Sequence, residues 1–460
     1  MFLKDVDDSF VKINHGAGGI GDALLGLCVT AGLKAEGKKI AYAVSPYSIP
    51  FIRLFTGYDV LCEHIHDRCE AGFWPSDDLQ INDGYHGECK SKAAVNSRFE
   101  RYAYNVGYRG KPVLPRLRKP LPASRFPGHV VLCPYSSWMN RQWSINSWVT
   151  LERLLLEAGY KVVILGTQAS DLFRSPQVVN ETPANVTAVL NEADMVIGTD
   201  SGMAHLAGIL GRPTIVLCGQ TTVPAVFGAY PNVIGINGKL DCGGCWWQKP
   251  YHSERCDPCC PNLQSIAPAD VLKEVDNQLL VKYSDHKACI GPEKLPVLRD
   301  CVMETKSLHG DLAEFGVWKG GTARLIRHFD NKSPLHLFDT FEGIPETDTF
   351  EGGHVQGDFD DTSLAEVQAL VPDARFYVGK FPLEVEVPDV QYKFAHVDFD
   401  TYQSTLAACT YLKDRMVPGG IIVFDDYGWG ACRGVASAIA EVFPGRHLDR
   451  PTINQAVLRT

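Results

Sequence analysis

The sequence predicts an α/β protein built of three successive parallel-sheet domains, and two observations carry that prediction. Short apolar runs of strand length alternate with helix-like stretches, the pattern of parallel sheets covered on both faces. A proline-rich stretch and a step in charge then divide the alternation into three. At 460 residues, 45% of them hydrophobic and 21% charged, the chain exceeds what one core organises and shows no compositional sign of disorder.

The first domain, residues 1–125, opens with the strand-like "FVKINH" and continues to a second apolar run in "KKIAYAVSPYS". It closes in "RGKPVLPRLRKPLPASRFPG", whose prolines suit a linker. The second, residues 126–285, gives "HVVLCPY", the helical "SWVTLERLLLEAG", then "KVVILGT", "DMVIGTD" and "PTIVLCG". The third, residues 291–460, gives "DLAEFGV", "LHLFDTF", "RFYVG", "FAHVDFD" and "GGIIVFDDY". Charge changes at the same boundary. From Gly291 onward there are 16 Lys and Arg against 26 Asp and Glu, out of totals of 44 and 54, so the acidic excess lies in the last third.

Neither part is basic enough for nucleic acid to be the main partner. No run of about 18 apolar residues predicts a membrane span, and "MFLKDVDDSF" is too acidic for a secretory leader, so the expected location is cytoplasmic. The 15 cysteines are scattered apart from a cluster at Cys242 to Cys260, which reads as reduced thiols plus a metal site. "CEHIHDRCE", with His86 and Cys89 beyond it, matches no compact ligand spacing.

"NHGAGGIGDALLG" spells G-x-G-x-x-G at Gly16, Gly18 and Gly21. A dinucleotide site also needs an acid roughly 20 positions later, at the end of the second strand. No Asp or Glu occurs between Glu36 and Asp59, which weighs against an NAD-dependent sugar oxidoreductase. The acid here is Asp22, directly after the last glycine. It is either a carboxylate that takes a proton from an acceptor hydroxyl or a charge that complements a helix N-terminus.

In "GTDSGMAHLAGILGRPTIVLCGQT" a strand ends at Asp200. Ser201 is predicted to cap a helix over 202–210, and Gly202 to let a diphosphate approach backbone N–H groups. His205 stands one turn inside that helix, as a ligand contact or as a packing residue. These motifs, with "GGIGDALLG", resemble the heptosyltransferase-like glycosyltransferases over roughly residues 10–275. The resemblance implies a GT-B enzyme of two facing Rossmann-like domains, the first presenting an acceptor and the second a nucleotide-sugar donor. It makes Asp22 the general base, and Asp200, Ser201, Gly202 and His205 the donor-binding residues. "MNRQWSINSW" resembles that family's Lys-x-Trp-Pro stretch, with Arg141 and Trp143 matching the Lys and Trp and Ser144 replacing the Pro. Arg141 would then stabilise the leaving diphosphate.

"CGGCWWQKPYHSERCDPCC" holds Cys242, Cys245, Cys256 and Cys259, with Cys260 as a fifth. Two C-x-x-C units at this spacing suit one tetrahedral structural Zn or Fe; buried thiols and disulfides are the alternatives.

In the third domain "DLAEFGVWKGGTARLI" reads as strand, glycine turn and helix start, with Glu314 at the strand end and Gly316, Gly320 and Gly321 in the turn. Asp339, ending the next strand, suits ribose hydroxyls of NAD or of S-adenosylmethionine. Asp398 and Asp400, then Asp425 and Asp426, end two further strands. Their convergence suits an oxygen-liganded Mg2+ that acidifies a sugar hydroxyl, although Asp400 could equally cap the next helix.

"EFGVWKGGTA", "LFDTFEGIP", "GDFDDT", "HVDFDTYQST" and "GGIIVFDDY" together resemble the macrocin O-methyltransferase-like family from about Gly310 to Phe443. The resemblance implies a class I methyltransferase Rossmann-like domain using S-adenosylmethionine. Glu314, Gly316, Gly320 and Asp339 would lie at the cofactor, with Asp358 near its adenine. Asp398, Asp425 and Asp426 would hold magnesium, and Asp398 would also be the base. The family often has Asp-x-Asp-x-Tyr, which Asp398, Asp400 and Tyr402 spell here.

The expected whole is a bifunctional transferase: inverting transfer of a heptose-like sugar to an acceptor hydroxyl, then metal-dependent O-methylation of a sugar hydroxyl. Its expected partners are a nucleotide-sugar donor and a glycan acceptor (lipopolysaccharide, capsule or glycoprotein), with homo-oligomerisation open. The alternative is a methyltransferase carrying a non-catalytic glycan-binding module.

Overall fold

The computed structural model describes residues 6–7, 9–15, 19–63, 79–81, 97–240, 259–350 and 353–460. The chain divides into two compact units, Met1–Leu272 and Lys273–Thr460.

The first unit holds two parallel sheets. One is formed by β1 (Val11–His15), β2 (Ile40–Val44), β3 (Val60–Glu63) and β4 (Leu79–Ile81) in the order β3-β2-β1-β4. The other is formed by β5 (Val130–Cys133), β6 (Val162–Gly166), β7 (Gln177–Val179), β8 (Met195–Thr199), β9 (Thr214–Cys218) and β10 (Val233–Asn237), in the order β10-β9-β8-β5-β6-β7. β2, β5, β8 and β9 are buried throughout, as unbroken apolar runs require when helices cover both faces. One contiguous core joins Ile13, Leu24 and Tyr42 to Val131, Val163 and Leu206. Each such side chain, fully buried, contributes roughly 1.5–3 kcal/mol.

Helices start where the sequence supplies a cap. Ser144, Thr182 and Thr401 each accept the backbone N–H three residues on, opening helices Ile145–Glu157, Pro183–Asn191 and Tyr402–Leu412. The proline-rich stretch after Arg109 is anchored rather than free. Leu117 bridges to Phe55, and Arg118 donates to the carbonyls of Phe55 at 2.6 Å and Tyr58 at 2.9 Å, its guanidinium over the Tyr58 ring.

The second unit holds one sheet of β11 (Asp311–Phe315), β12 (Leu335–Asp339), β13 (Arg375–Val378), β14 (Tyr392–Val397), β15 (Met416–Asp425), β16 (Asp449–Thr452) and β17 (Gln455–Arg459). Its order is β13-β12-β11-β14-β15-β17-β16, with β17 antiparallel to both neighbours. Phe315, Phe338, Ala395, Ile422 and Phe424 form its core with Cys409 and Leu412 of helix Tyr402–Leu412.

All three sheets reverse their winding once, between β1 and β4, between β5 and β8, and between β11 and β14. A crevice opens at such a point beyond the strand C-termini, where ligands of α/β folds bind. The segment carrying Asp22 follows β1, Arg141 lies beyond β5, Asp200 follows β8, Gly316 follows β11 and Asp398 follows β14. Among the described residues no helix is long and apolar enough to cross a membrane.

Candidate active sites

Asp22 sits in the first turn of helix Ile20–Ala35, which opens at Gly19. Its Oδ2 accepts the Gly19 N–H at 3.1 Å, and its Oδ1 accepts Arg98 Nη1 at 2.8 Å and the Tyr102 hydroxyl at 3.2 Å. Arg98 and Tyr102 lie one turn apart on helix Arg98–Asn105, so one face of that helix supplies both. Burial raises the Asp22 carboxyl, but Arg98, His15, His205 and the Gly19 N–H together hold it below the usual carboxylate range. Asp22 therefore both caps its helix and stands as an ionised, partly exposed carboxylate. Gly16 and Gly18 lie outside the described residues.

His205 lies on helix Gly202–Ile209 beneath that same turn. A Cβ on Gly21 would stand 2.5 Å from the imidazole Cδ2, so only glycine lets the two helices meet here. The ring stacks on Phe227 with centroids 4.3 Å apart, and its Nδ1 is 3.1 Å from the Tyr230 hydroxyl. Burial lowers its pKa to about 4 despite Asp200 and Asp22, so the ring is neutral near pH 7. The ring is thus buried among these side chains. Gly202 is likewise met by Ile20, whose Cβ would be 3.1 Å from an added one.

Asp200 is buried, accepts Thr221 Oγ1 at 3.2 Å and lies 3.6 Å from Arg141 Nη1. Ser201 occupies the N-cap position, but its side chain makes no capping bond, contrary to the expectation. Its Oγ, with Thr199 Oγ1 and Gln220 Nε2, is instead buried without a partner. Orphaned polar atoms at the ends of β8 and β9 fit a polar ligand. Trp143 is buried edge-on against Trp148, and Ser144 caps the helix that follows, which gives the departure from Pro a structural role. Cys242, Cys245 and Cys256 lie outside the described residues; Cys259 is exposed and Cys260 buried.

In the second unit a cavity of about 450 Å3 opens beyond β11, β12, β14 and β15, lined among others by Gly316, Asp339, Asp398, Asp400, Asp425 and Asp426. Gly316 has φ +86°, and a Cβ there would fall 1.9 Å from the Asp398 carbonyl oxygen, so the turn demands glycine. Gly320 opens helix Gly321–Phe329 in the left-handed region. Asp339 organises the turn: Oδ2 accepts Val317 N at 2.6 Å and Trp318 N at 2.9 Å, and Oδ1 accepts Phe341 N at 2.7 Å.

Glu314 is placed differently from the expectation. It pairs in register with His396 on β14, both fully buried, with Glu314 Oε1 2.8 Å from His396 Nδ1. Neither lines the cavity. Burial disfavours a charged imidazole, but Glu314 overrides it and lifts His396 to about 9. Asp358 also stands outside the lining, accepting His354 Nδ1 at 2.9 Å and Val355 N at 3.1 Å, while His354 and Phe359 face the cavity.

Carboxylate oxygens of Asp398, Asp400 and Asp426 lie within 4.8 Å of one another, and those of Asp398 and Asp425 lie equally close to a His396 ring nitrogen. Asp400 does not cap the next helix, because Thr401 does. Burial and neighbouring carboxylates push Asp398 and Asp400 well above the carboxylate range. Asp425 bonds Lys294 through Oδ1, and its Oδ2 is buried without a partner. Mutually repelling oxygen donors with one orphaned atom fit a hard divalent cation. Tyr402 is turned away, its hydroxyl donating to Glu441 at 2.6 Å. Sequence reasoning missed Arg98, Tyr102 and Lys294. The i, i+4 spacing of the first two was the only available signal, and Lys294 lies outside every motif.

Residues 114–246 match the model of glycosyltransferase family 9 (heptosyltransferase), and residues 284–454 that of macrocin-O-methyltransferase (TylF). One relative is the 8-demethyl-8-(2,3-dimethoxy-alpha-L-rhamnosyl)-tetracenomycin-C 4'-O-methyltransferase of Streptomyces olivaceus, 29% identical over 33% of this chain and 71% of that protein. Another is lipopolysaccharide heptosyltransferase 1 of Pseudomonas aeruginosa, 26% identical over 34% of this chain and 53% of that protein, about half its length. Among solved structures, the iron-containing dodecameric glycosyltransferase TibC from enterotoxigenic E. coli H10407 matches with a TM-score of 0.47 and 16% identity, over 60% of this chain and 77% of that one. The chain thus carries a domain of glycosyltransferase family 9 followed by a domain of the macrocin O-methyltransferase family.

Proposed function

We propose that the first unit transfers a heptose-like sugar, with inversion, from a nucleoside-diphosphate donor to an acceptor hydroxyl of a glycan, and that the second O-methylates a sugar hydroxyl. The observation that carries the first reading is the ionised Asp22 held by Arg98, on helices of the same unit that holds the Arg141–Asp200 pair and the orphaned Ser201 hydroxyl. Asp22 takes the acceptor proton as the acceptor oxygen bonds the anomeric carbon and the bond to the diphosphate breaks. Arg141 meets the charge on the departing diphosphate. Asp200 and Ser201 hold the donor, and Gly202 and His205 support them through packing.

For the second reading, S-adenosylmethionine supplies the methyl group when bound, and a divalent cation such as Mg2+ lowers the pKa of the sugar hydroxyl. Gly316, Gly320 and Asp339 would hold the cofactor, with Glu314 and Asp358 acting from behind the cavity wall. Asp398, Asp425 through its orphaned Oδ2, and Asp426 would hold the cation, and Asp398 takes the hydroxyl proton. We also propose a structural metal at Cys242, Cys245, Cys256 and Cys259, and a cytoplasmic setting, where thiols such as Cys28, Cys133 and Cys218 stay free.

The deciding experiment is a thermal-shift screen of the full chain against nucleotide sugars and S-adenosylhomocysteine, followed by product analysis by mass spectrometry. Stabilisation by both ligand classes and a sugar-plus-methyl product are expected. S-adenosylhomocysteine binding without turnover of any nucleotide sugar would instead favour a glycan-binding first unit.

A further inference from the structure

The methyl-transfer reading leaves Lys294, which lines its cavity, without a role. Lys294 occupies the N-cap position of helix Leu295–Thr305, remote in sequence from every acid it meets. A cationic side chain is costly to bury, yet this one is only 9% exposed and its partner Asp425 only 1%. The ammonium donates to Asp425 Oδ1 and stands 3.6 Å from Asp426 Oδ1. On its other side Asp425 presents the buried, unpartnered Oδ2. Asp398 and Asp400 complete a group of four carboxylates. The other cation nearby, His396, is engaged by Glu314. Lys294 is thus an ammonium set directly against two of these four acids, Asp425 and Asp426.

We propose that Lys294 is a resident counter-cation of the acidic cluster: it holds and neutralises Asp425 before a divalent ion binds, and it weakens the ion's affinity once it does. The proposal rests on the methyl-transfer reading and adds a positioning residue to it. The geometry sets the sense of the effect. By taking Oδ1, Lys294 leaves Oδ2 as the unpartnered Asp425 oxygen and fixes which of the two is offered. A divalent ion bound there lies close to an ammonium that is itself only 9% exposed, and like charges near a partner so buried repel more strongly than in bulk water. The ion is then held loosely enough to exchange, and the cluster survives its departure without collapsing on its own repulsion.

Calorimetric titration of the full-length protein with Mg2+ alone tests this, comparing wild type with Lys294→Met and Lys294→Arg. The expected result is a Kd for Mg2+ about tenfold tighter in Lys294→Met and close to wild type in Lys294→Arg. Binding by Lys294→Met where wild type binds none supports the proposal equally. An unchanged or weaker Kd in Lys294→Met overturns it and leaves the methyl-transfer reading standing. Failure of all three proteins to bind Mg2+ overturns it together with the cation part of that reading, and S-adenosylhomocysteine binding by the same samples decides separately whether the cofactor part survives. Should Lys294→Met lose S-adenosylhomocysteine binding, showing a damaged fold, Lys294→Gln takes its place in the same comparison.

Discussion

Arg141 Nη1 stands 3.6 Å from Asp200 Oδ2, which brings a residue beyond β5 against the residue that follows β8, across the point where that sheet reverses. In the proposed sugar transfer this guanidinium meets the negative charge that grows on the departing diphosphate. Arg141→Met should lower kcat for sugar transfer by roughly 10²-fold, in line with the loss of one preorganised donor. Arg141→Lys, which keeps the charge but not the fork, should fall between. Initial rates with circular dichroism as a fold control decide this, and a wild-type rate in Arg141→Met would remove it from the mechanism.

Arg98 should set the pH range in which Asp22 can act. The groups facing Asp22 among the described residues are Arg98, Tyr102, His15, His205 and the Gly19 N–H, and the positive ones hold the carboxyl ionised against burial. A general base works only when ionised, so activity is lost as pH falls through its pKa. In Arg98→Met that pKa rises, and the acidic limb of kcat/KM should move to higher pH by roughly one unit or more. An unmoved limb would show that another group is the base.

His205 makes the first unit acid-sensitive. Its folded pKa of about 4 lies below the 6.5 of an unperturbed imidazole, so the unfolded chain binds the proton more tightly. Stability is complete above about pH 6.5 and declines as pH falls toward 4, by an amount on the order of 3 kcal/mol. The melting temperature of the first unit should therefore drop between pH 7 and 5, and drop less in His205→Gln. Equal losses in both proteins would assign the acid sensitivity elsewhere.

Gly316→Ala should abolish S-adenosylhomocysteine binding. The added methyl would meet the Asp398 carbonyl at 1.9 Å on a backbone with φ +86°, so the turn must open. A destabilisation of about 1–3 kcal/mol is expected for forcing a side chain into that conformation. Calorimetry with S-adenosylhomocysteine, alongside thermal melting of the variant, reads both effects.

The buried parallel strands were the most legible part of the chain. "HVVLCPY", "DMVIGTD" and "PTIVLCG" contain β5, β8 and β9 because a strand covered on both faces must be apolar throughout. Short edge strands such as β7 and β10, and the antiparallel β16 and β17, carry no such run and were not read. The acids ending the strands were legible for the same reason: Asp200, Asp339 and Asp398 stand where an apolar run stops. Their partners were not. Arg98, Lys294 and the Glu314–His396 pair reach their acids through tertiary packing, which leaves no local period in the sequence. Glu314 shows the converse, since a strand-end acid can also turn inward when the neighbouring strand offers it a histidine.

The contact between Gly21 and His205 bears on how such proteins can be recombined. With no room for a Cβ between them, helix Ile20–Ala35 and helix Gly202–Ile209 are cut to each other's shape. A chimera that grafts the β5–β10 sheet and its helices from a relative onto this β1–β4 sheet would inherit a helix surface unmatched to Gly21. Shuffling of segments among relatives should succeed only when residues 19–22 travel with helix Gly202–Ile209 as one cassette.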